Sequence, residues 1–227
     1  MLLLAVALAP ILVIMIYIYM KDKYEREPIK FLLTNFGLGA TASIVLTIIF
    51  GAIGKVFLPI TDSLSVFQQF IQAFLVVALV EESSKYVIVR YVAQRNKEFD
   101  EPFDGIVYAV MVSMGFAALE NILYVFQYGF SNGLLRAFTA VPAHATFGII
   151  MGYFMGKAKF AKSKKDKIRL NLTGLLMATL FHGAYDFFLF LDFIPGISIG
   201  AFVSLVIGIL LSRKAIQRHQ ENSRFKY

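Results

Sequence analysis

An all-α bundle of about seven membrane-spanning helices is the fold this sequence predicts, and three observations predict it. Of the 227 residues, 58% are hydrophobic and only 16% are charged, whereas soluble domains sit near about 45–50% apolar with roughly a quarter charged. Such an excess cannot be buried in one small globule and calls for lipid to cover part of it. Apolar runs long enough to cross a bilayer, which takes about 20 residues, recur along the whole chain. Finally, the basic residues fall in alternate loops, the pattern that membrane insertion imposes.

Taken in order, the candidate spans are roughly 2–20, 31–53, 66–92, 104–127, 135–156, 171–191 and 196–212. The first, beginning MLLLAVALAP, has no basic n-region, and no A-x-A-like site closes its apolar run. It stops at KDKYEREPIK, so it reads as an uncleaved span and not as a secretory signal. The third carries charges in its middle, as does the fourth. Between them, NKEFDEPFDG (96–105) places Asp, Pro and Gly where a turn needs them. The seventh is the shortest. Tyr and Phe at span ends can serve as interfacial anchors in a chain without Trp. No repeat, low-complexity tract or linker appears, so residues 1–227 read as a single domain.

Of the 22 Lys and Arg, four lie in 21–30, three in 90–97, seven in 157–169 and five in 213–226. The opposite set of loops holds Lys55 and Arg136 alone, and Lys85 lies inside a span. The positive-inside rule then orients the chain with its N-terminus outside and its C-terminus in the cytoplasm. The net charge of +7 is thus spent on topology. The strongest basic block, KAKFAKSKKDKIRL, reads as a loop held near anionic lipid, with no nucleic-acid groove. The absence of cysteine excludes disulfides, thiolate catalysis and thiolate metal sites.

Ionisable side chains within spans are costly, about 2.5–3.5 kcal/mol each on insertion scales, and ask for a function. Span three carries Glu81, Glu82 and Lys85; span four carries Glu120 and Asn121; span five carries His144; span six carries His182 and Asp186. Glu81 and Lys85 are four apart and can pair on one helical face, leaving Glu82 rotated by about 100° and free to act. His182 and Asp186 have the same spacing, which lets the carboxylate orient the imidazole. His144, Gly148, Gly152 and Gly156 follow at intervals of four, so the histidine lines up with a glycine groove that receives another helix. Counted from the span ends, Glu81 lies toward the cytoplasmic side and Glu120 and His144 toward the outer side. Their convergence is what a structure must show.

At these residues the sequence resembles the PrsW family of intramembrane proteases. The resemblance rests on EESSK (Glu81, Glu82, Lys85), FAALEN (Phe116, Glu120, Asn121), HATFG (His144, Gly148) and HGAYD (His182, Asp186), in family order and each on its own span. It is also similar to the wider superfamily of CAAX prenyl endopeptidases and bacteriocin-processing relatives, whose usual pattern is EExxxR, FxxxH and HxxxN or HxxxD. Here the cation is Lys85, one residue closer, and the FxxxH position reads FxxxE at Phe116 to Glu120. Both departures favour PrsW over prenyl-protein processing. The resemblance implies a metalloprotease of the bacterial plasma membrane, with its catalytic core at about 66–191. It implies cleavage of a membrane-anchored protein, such as an anti-sigma factor, near the membrane surface.

Two mechanisms are open. In one, His144 and His182 with a carboxylate from Glu82 or Glu120 hold Zn²⁺, and another glutamate is the general base. In the other no metal is present: Glu81 or Glu82 takes the proton from water while His144 and Asn121 stabilise the oxyanion. The ligands lack HExxH spacing, so the residues alone do not choose between these. The rival from another class is a proton-coupled transporter, since pumps also use intramembrane Glu, His and Lys. No inverted repeat or paired broken spans support it. A non-catalytic scaffold is the third reading.

Overall fold

The computed structural model describes residues 1–226. Seven helices are long and apolar enough to cross a membrane. They are α1 (Leu2–Lys21), α2 (Ile29–Phe57), α3 (Val66–Ala93), α4 (Pro102–Tyr128), α6 (Ala140–Lys159), α7 (Lys164–Phe190) and α8 (Ile199–Glu221), with a short α5 (Phe130–Phe138) leading into α6. No strand occurs among the described residues.

The helices differ in what covers them. In α4, 78% of the apolar stretch is buried inside the protein, against 17% in α1 and 11% in α2. Helix α4 is therefore the core of the bundle, enclosed by α1, α2, α3 and α6. Rows of exposed apolar side chains, such as Leu12, Val13 and Ile16 on α1 or Ile48 and Ile49 on α2, form the surface that lipid covers.

Helix α4 is sharply delimited. Pro102 starts it, and Glu101 and Asp104 form a reciprocal capping box that satisfies its first amides. It ends at Gly129, whose φ of 83° is comfortable for glycine and costly for other residues. Against it lies the glycine face of α6. A Cβ on Gly152 would meet the Gly105 carbonyl and stand 2.7 Å from the Ile106 Cα, so only hydrogen fits at this crossing. The His144–Gly148–Gly152–Gly156 series thus serves packing, as its spacing suggests, and presses α6 onto α4 with His144 at the end of the seam.

The four basic segments lie at one end of the bundle. Lys159 Nζ caps the Gln94 and Asn96 carbonyls, joining the end of α6 to the end of α3. Gln220 donates to the Lys21 carbonyl, and Gln94 bridges the Met155 carbonyl and Asn171. The helices are longer here than the apolar runs that announce them. Helix α7 begins seven residues before its predicted span at 171, and α8 continues to Glu221, beyond 212. Hydropathy marks only the part of a helix that lipid covers, and backbone hydrogen bonding carries the helix on into the headgroup region.

Candidate active site

Helix α3 presents the charges of EESSK. Its regular segment Leu79–Ile88 is flanked by two wider π-type stretches, Gln72–Ala78 and Val89–Ala93. Each such bulge rotates the helix face by an extra residue, and bulges of this kind collect at functional sites. On the other side, Ser84 bonds Ser43 at 2.7 Å and Thr47 at 2.9 Å, which locks α3 onto α2.

Lys85 is 1% exposed and Glu82 fully buried. The Lys85 Nζ donates to Glu82 Oε1 at 2.7 Å and stands 3.6 Å from Glu81 Oε2. The i,i+4 pair with Glu81 is present, but Glu82 is not left free as the spacing suggested: it makes the shorter contact and is the pinned carboxylate, with Glu81 the freer one. Glu82 Oε1 also lies 2.8 Å from His182 Nδ1, a distance at which an Nδ1–H donates. Lys85 further sits 4.2 Å from the centre of the Phe116 ring, a cation–π contact in a dry setting.

His182 is stacked on Phe147, with ring centres 4.8 Å apart and planes within 13°. With Nδ1 directed at Glu82, Nε2 faces two carboxylates, Asp186 Oδ2 at 3.2 Å and Glu81 Oε2 at 4.0 Å. A proton or a metal ion on Nε2 makes that arrangement favourable. Glu81 Oε2 is buried and receives no hydrogen bond. His144, its ring centre 5.5 Å from that of His182, contacts Glu120 Oε2 through Nε2 at 2.8 Å and Lys85 Nζ through Nδ1 at 3.3 Å. Glu81, His144 and His182 each offer a ligand atom, all within 4.8 Å of one another. The donor set, two imidazoles and one carboxylate with an orphaned oxygen, fits a divalent metal of the zinc type.

Glu81, Glu82, Lys85, Glu120, His144, His182 and Asp186, seven of the eight side chains named from the sequence, gather in one cluster on four helices. Glu82 stands in it as the partner of Lys85 and the His182 Nδ1, while Glu81 takes the position beside both imidazoles. Asn121 is the eighth and is turned elsewhere. Its Nδ2 donates to the Ala7 carbonyl of α1 at 2.8 Å, and its Oδ1 accepts from Arg136 Nε at 2.7 Å. Its amide is already occupied by these contacts, away from the histidines.

Sequence reasoning missed Arg136. From α5 it reaches Glu120 Oε2 at 2.8 Å, the same oxygen that faces His144. The available signal was its isolation, as one of two basic residues in the loops of that side. The site is layered. Glu82, Lys85, His144 and His182 are buried, and the side chains of Glu81, Glu120 and Asp186 are 14%, 21% and 15% exposed.

The family model described as "PrsW family intramembrane metalloprotease" matches residues 27–212. The chain belongs to the PrsW family. Among PrsW proteins, Protease PrsW of Oceanobacillus iheyensis is 43% identical over 187 residues, 82% of each chain. That of Geobacillus kaustophilus is 40% identical over 82% of this chain and 79% of its own. That of Bacillus subtilis is 36% identical over 80% of each. No solved structure is significantly similar to this chain. A PrsW protease built of seven apolar helices is a multi-pass membrane enzyme whose substrate is a protein. The family match does not favour the transporter reading.

Proposed function

We propose that this PrsW protease hydrolyses a peptide bond by water attack at the cluster of Glu81, Glu82, Glu120, His144 and His182, with Zn²⁺ held by Glu81, His144 and His182. The observation that carries this reading is the approach of those three ligand atoms to within 4.8 Å, with Glu81 Oε2 unpartnered among them. A bound zinc acidifies its water and polarises a carbonyl.

The protein's own groups do the rest. Glu82 accepts a hydrogen bond from the His182 Nδ1–H and fixes that ring's tautomer, which keeps Nε2 for ligation. Glu120 accepts from the His144 Nε2–H, leaving Nδ1, which faces the Lys85 ammonium at 3.3 Å and ligates once Lys85 donates to Glu82 and Glu81 alone. Lys85 balances the charge of Glu82 and Glu81. Glu120 has its Oε2 held by Arg136 and His144, which leaves Oε1 to take the proton of the attacking water and return it to the leaving amine. Asp186 Oδ2 stands 3.2 Å from the His182 Nε2 and adds negative charge beside the ligand position.

Depth suggests where the substrate meets the enzyme. Glu120 lies 18 residues from the start of α4 and 8 from its end, and His182 lies 18 and 8 residues from the corresponding ends of α7. At a rise of about 1.5 Å per residue, the cluster is about 27 Å from the basic-loop end along these helices. With basic loops in the cytoplasm, the N-terminus is outside and cleavage falls in the outer half of the bacterial plasma membrane. A membrane-anchored protein cut beside its span, such as an anti-sigma factor, suits that depth. We take residues 1–227 as one protease domain, with 66–191 carrying the chemistry.

The test is the metal content of detergent-purified protein beside a His144→Ala, His182→Ala variant. About one zinc per chain in the active protein, lost in the variant, supports the assignment. Full activity in protein stripped of metal would remove zinc and leave Glu81 as the group that activates water.

A further inference from the structure

At the opposite end of α4 lies a second buried cluster that the proteolytic reading does not use. Five carboxylates converge there: Asp22, Glu25 and Glu27 from the connection between α1 and α2, with Glu101 and Asp104 from the start of α4. Asp22, Glu27, Glu101 and Asp104 are at most 2% exposed, and Glu25 is partly exposed at the rim. Such residues are almost never fully buried unless paired. Yet no Lys or Arg nitrogen comes within 4 Å of any of the five among the described residues.

The nearby cations are engaged elsewhere. Lys159 caps the Gln94 and Asn96 carbonyls, Arg224 pairs with Asp100, and Arg26 lies over the Tyr19 ring. What holds the carboxylates in place is a set of neutral donors. The Tyr108 hydroxyl donates to Glu27 Oε2 and the Ser223 hydroxyl to Glu101 Oε2. The Asp100 and Glu101 amides donate to Asp104 Oδ2, both at 2.7 Å, and the Glu27 amide donates to Asp22 Oδ2 at 3.1 Å. In three of the four one oxygen is fixed while its twin, Glu27 Oε1, Asp104 Oδ1 or Asp22 Oδ1, is buried without a partner. Oxygens of Glu25, Glu27 and Asp104 lie within 4.8 Å of one another.

From this geometry we infer that Glu25, Glu27 and Asp104 bind a hard divalent cation, Ca²⁺ or Mg²⁺, at the basic-loop end of the bundle. Oriented carboxylates with free oxygens and no side-chain cation supply the negative charge and the all-oxygen donors that such ions require. The donor set has no imidazole, which separates it chemically from the zinc-type centre near the other end of α4. The ion ties the α1–α2 connection to the first turn of α4. Through Glu101 and Ser223 it also borders the segment that follows α8.

Tyrosine-sensitised terbium luminescence suits the test, because the chain has no Trp and Tyr108 bonds a proposed ligand. Tb³⁺ would be titrated into chelator-treated full-length protein in detergent, with Ca²⁺ and Mg²⁺ as competitors. The expected result is saturable emission that Ca²⁺ or Mg²⁺ displaces, retained in His144→Ala, His182→Ala protein and lost in Glu27→Gln, Asp104→Asn protein. If that double variant does not fold, Glu25→Gln at the rim weakens the ion by at least about tenfold and leaves the helices intact. Absence of saturable emission from wild type overturns the inference, and so does emission that survives loss of the carboxylates. If Ca²⁺ and Mg²⁺ both fail to compete, or the carboxylates are held by a shared proton with no ion effect, it is likewise overturned.

Discussion

Two buried clusters of ionisable groups sit toward opposite ends of the same helix, and they balance their charge in different ways. Around Glu120, the carboxylates have cations of their own: Lys85 lies 2.7 Å from Glu82 and 3.6 Å from Glu81, and Arg136 lies 2.8 Å from Glu120. Around Asp104, Asp22, Glu25, Glu27 and Glu101 have none. A buried charge pair roughly breaks even, and removing one partner is the expensive step. The first cluster is therefore largely compensated from within, and the oxygen it leaves over at Glu81 is where the proposed zinc would sit. The second has no compensating cation of its own. Near-complete compensation leaves one place for a reactive metal, whereas its absence creates demand for an ion that balances the whole cluster.

Unequal roles for two adjacent glutamates give the largest expected effect. Glu81→Gln should lower turnover by about 10³-fold or more and lose zinc, because it removes the carboxylate that faces both imidazoles. Glu82→Gln keeps an acceptor for the His182 Nδ1 proton and should cost about 10–100-fold with metal retained. Turnover of a membrane-anchored substrate and zinc content on the same preparations decide it. Equal losses of both quantities in the two variants would break the distinction between pinned and free carboxylates.

Removing the cation should make the first cluster resemble the second. Lys85→Met leaves Glu82 and Glu81 buried without their partner, a change worth about 3–5 kcal/mol of destabilisation. In a Glu82→Gln background the same substitution should cost clearly less, a coupling that a double-mutant cycle on unfolding in detergent measures. Additive losses would show that Lys85 acts on Glu82 through something other than charge.

The fold was legible because lipid leaves few options: apolar runs of spanning length, basic loops on alternate sides and glycines at every fourth position each have one physical cause. Glu81, Glu82, Glu120, His144 and His182 were legible as a set because ionisable groups in such runs are costly. What the sequence hid is relational. Lys85 chooses Glu82 over Glu81 on an α3 broken by two π-type stretches, which simple i,i+4 spacing does not describe. Asn121 turns to Ala7, 114 residues away in sequence. The acidic cluster is assembled from EREP and FDEPFD, two stretches that read separately as a loop and a turn, and only the bundle brings them together.

Arg136 provides the smallest and most diagnostic effect. It lies on α5 and reaches Glu120 Oε2 alongside His144, so it acts through Glu120 as a positioning residue. Arg136→Gln should reduce kcat by about tenfold with KM little changed, since a charge-assisted hydrogen bond of about 1.5–3 kcal/mol that holds the base is lost. Arg136→Lys keeps the charge and should recover only part of kcat, because the fork that also holds Asn121 is gone. A variant in which kcat falls and KM rises together, with no rescue by Arg136→Lys, would mean that Arg136 merely anchors α5 to α4. The first cluster would then be balanced by Lys85 alone, and Glu120 would be closer in kind to the uncompensated acids at the other end of its helix.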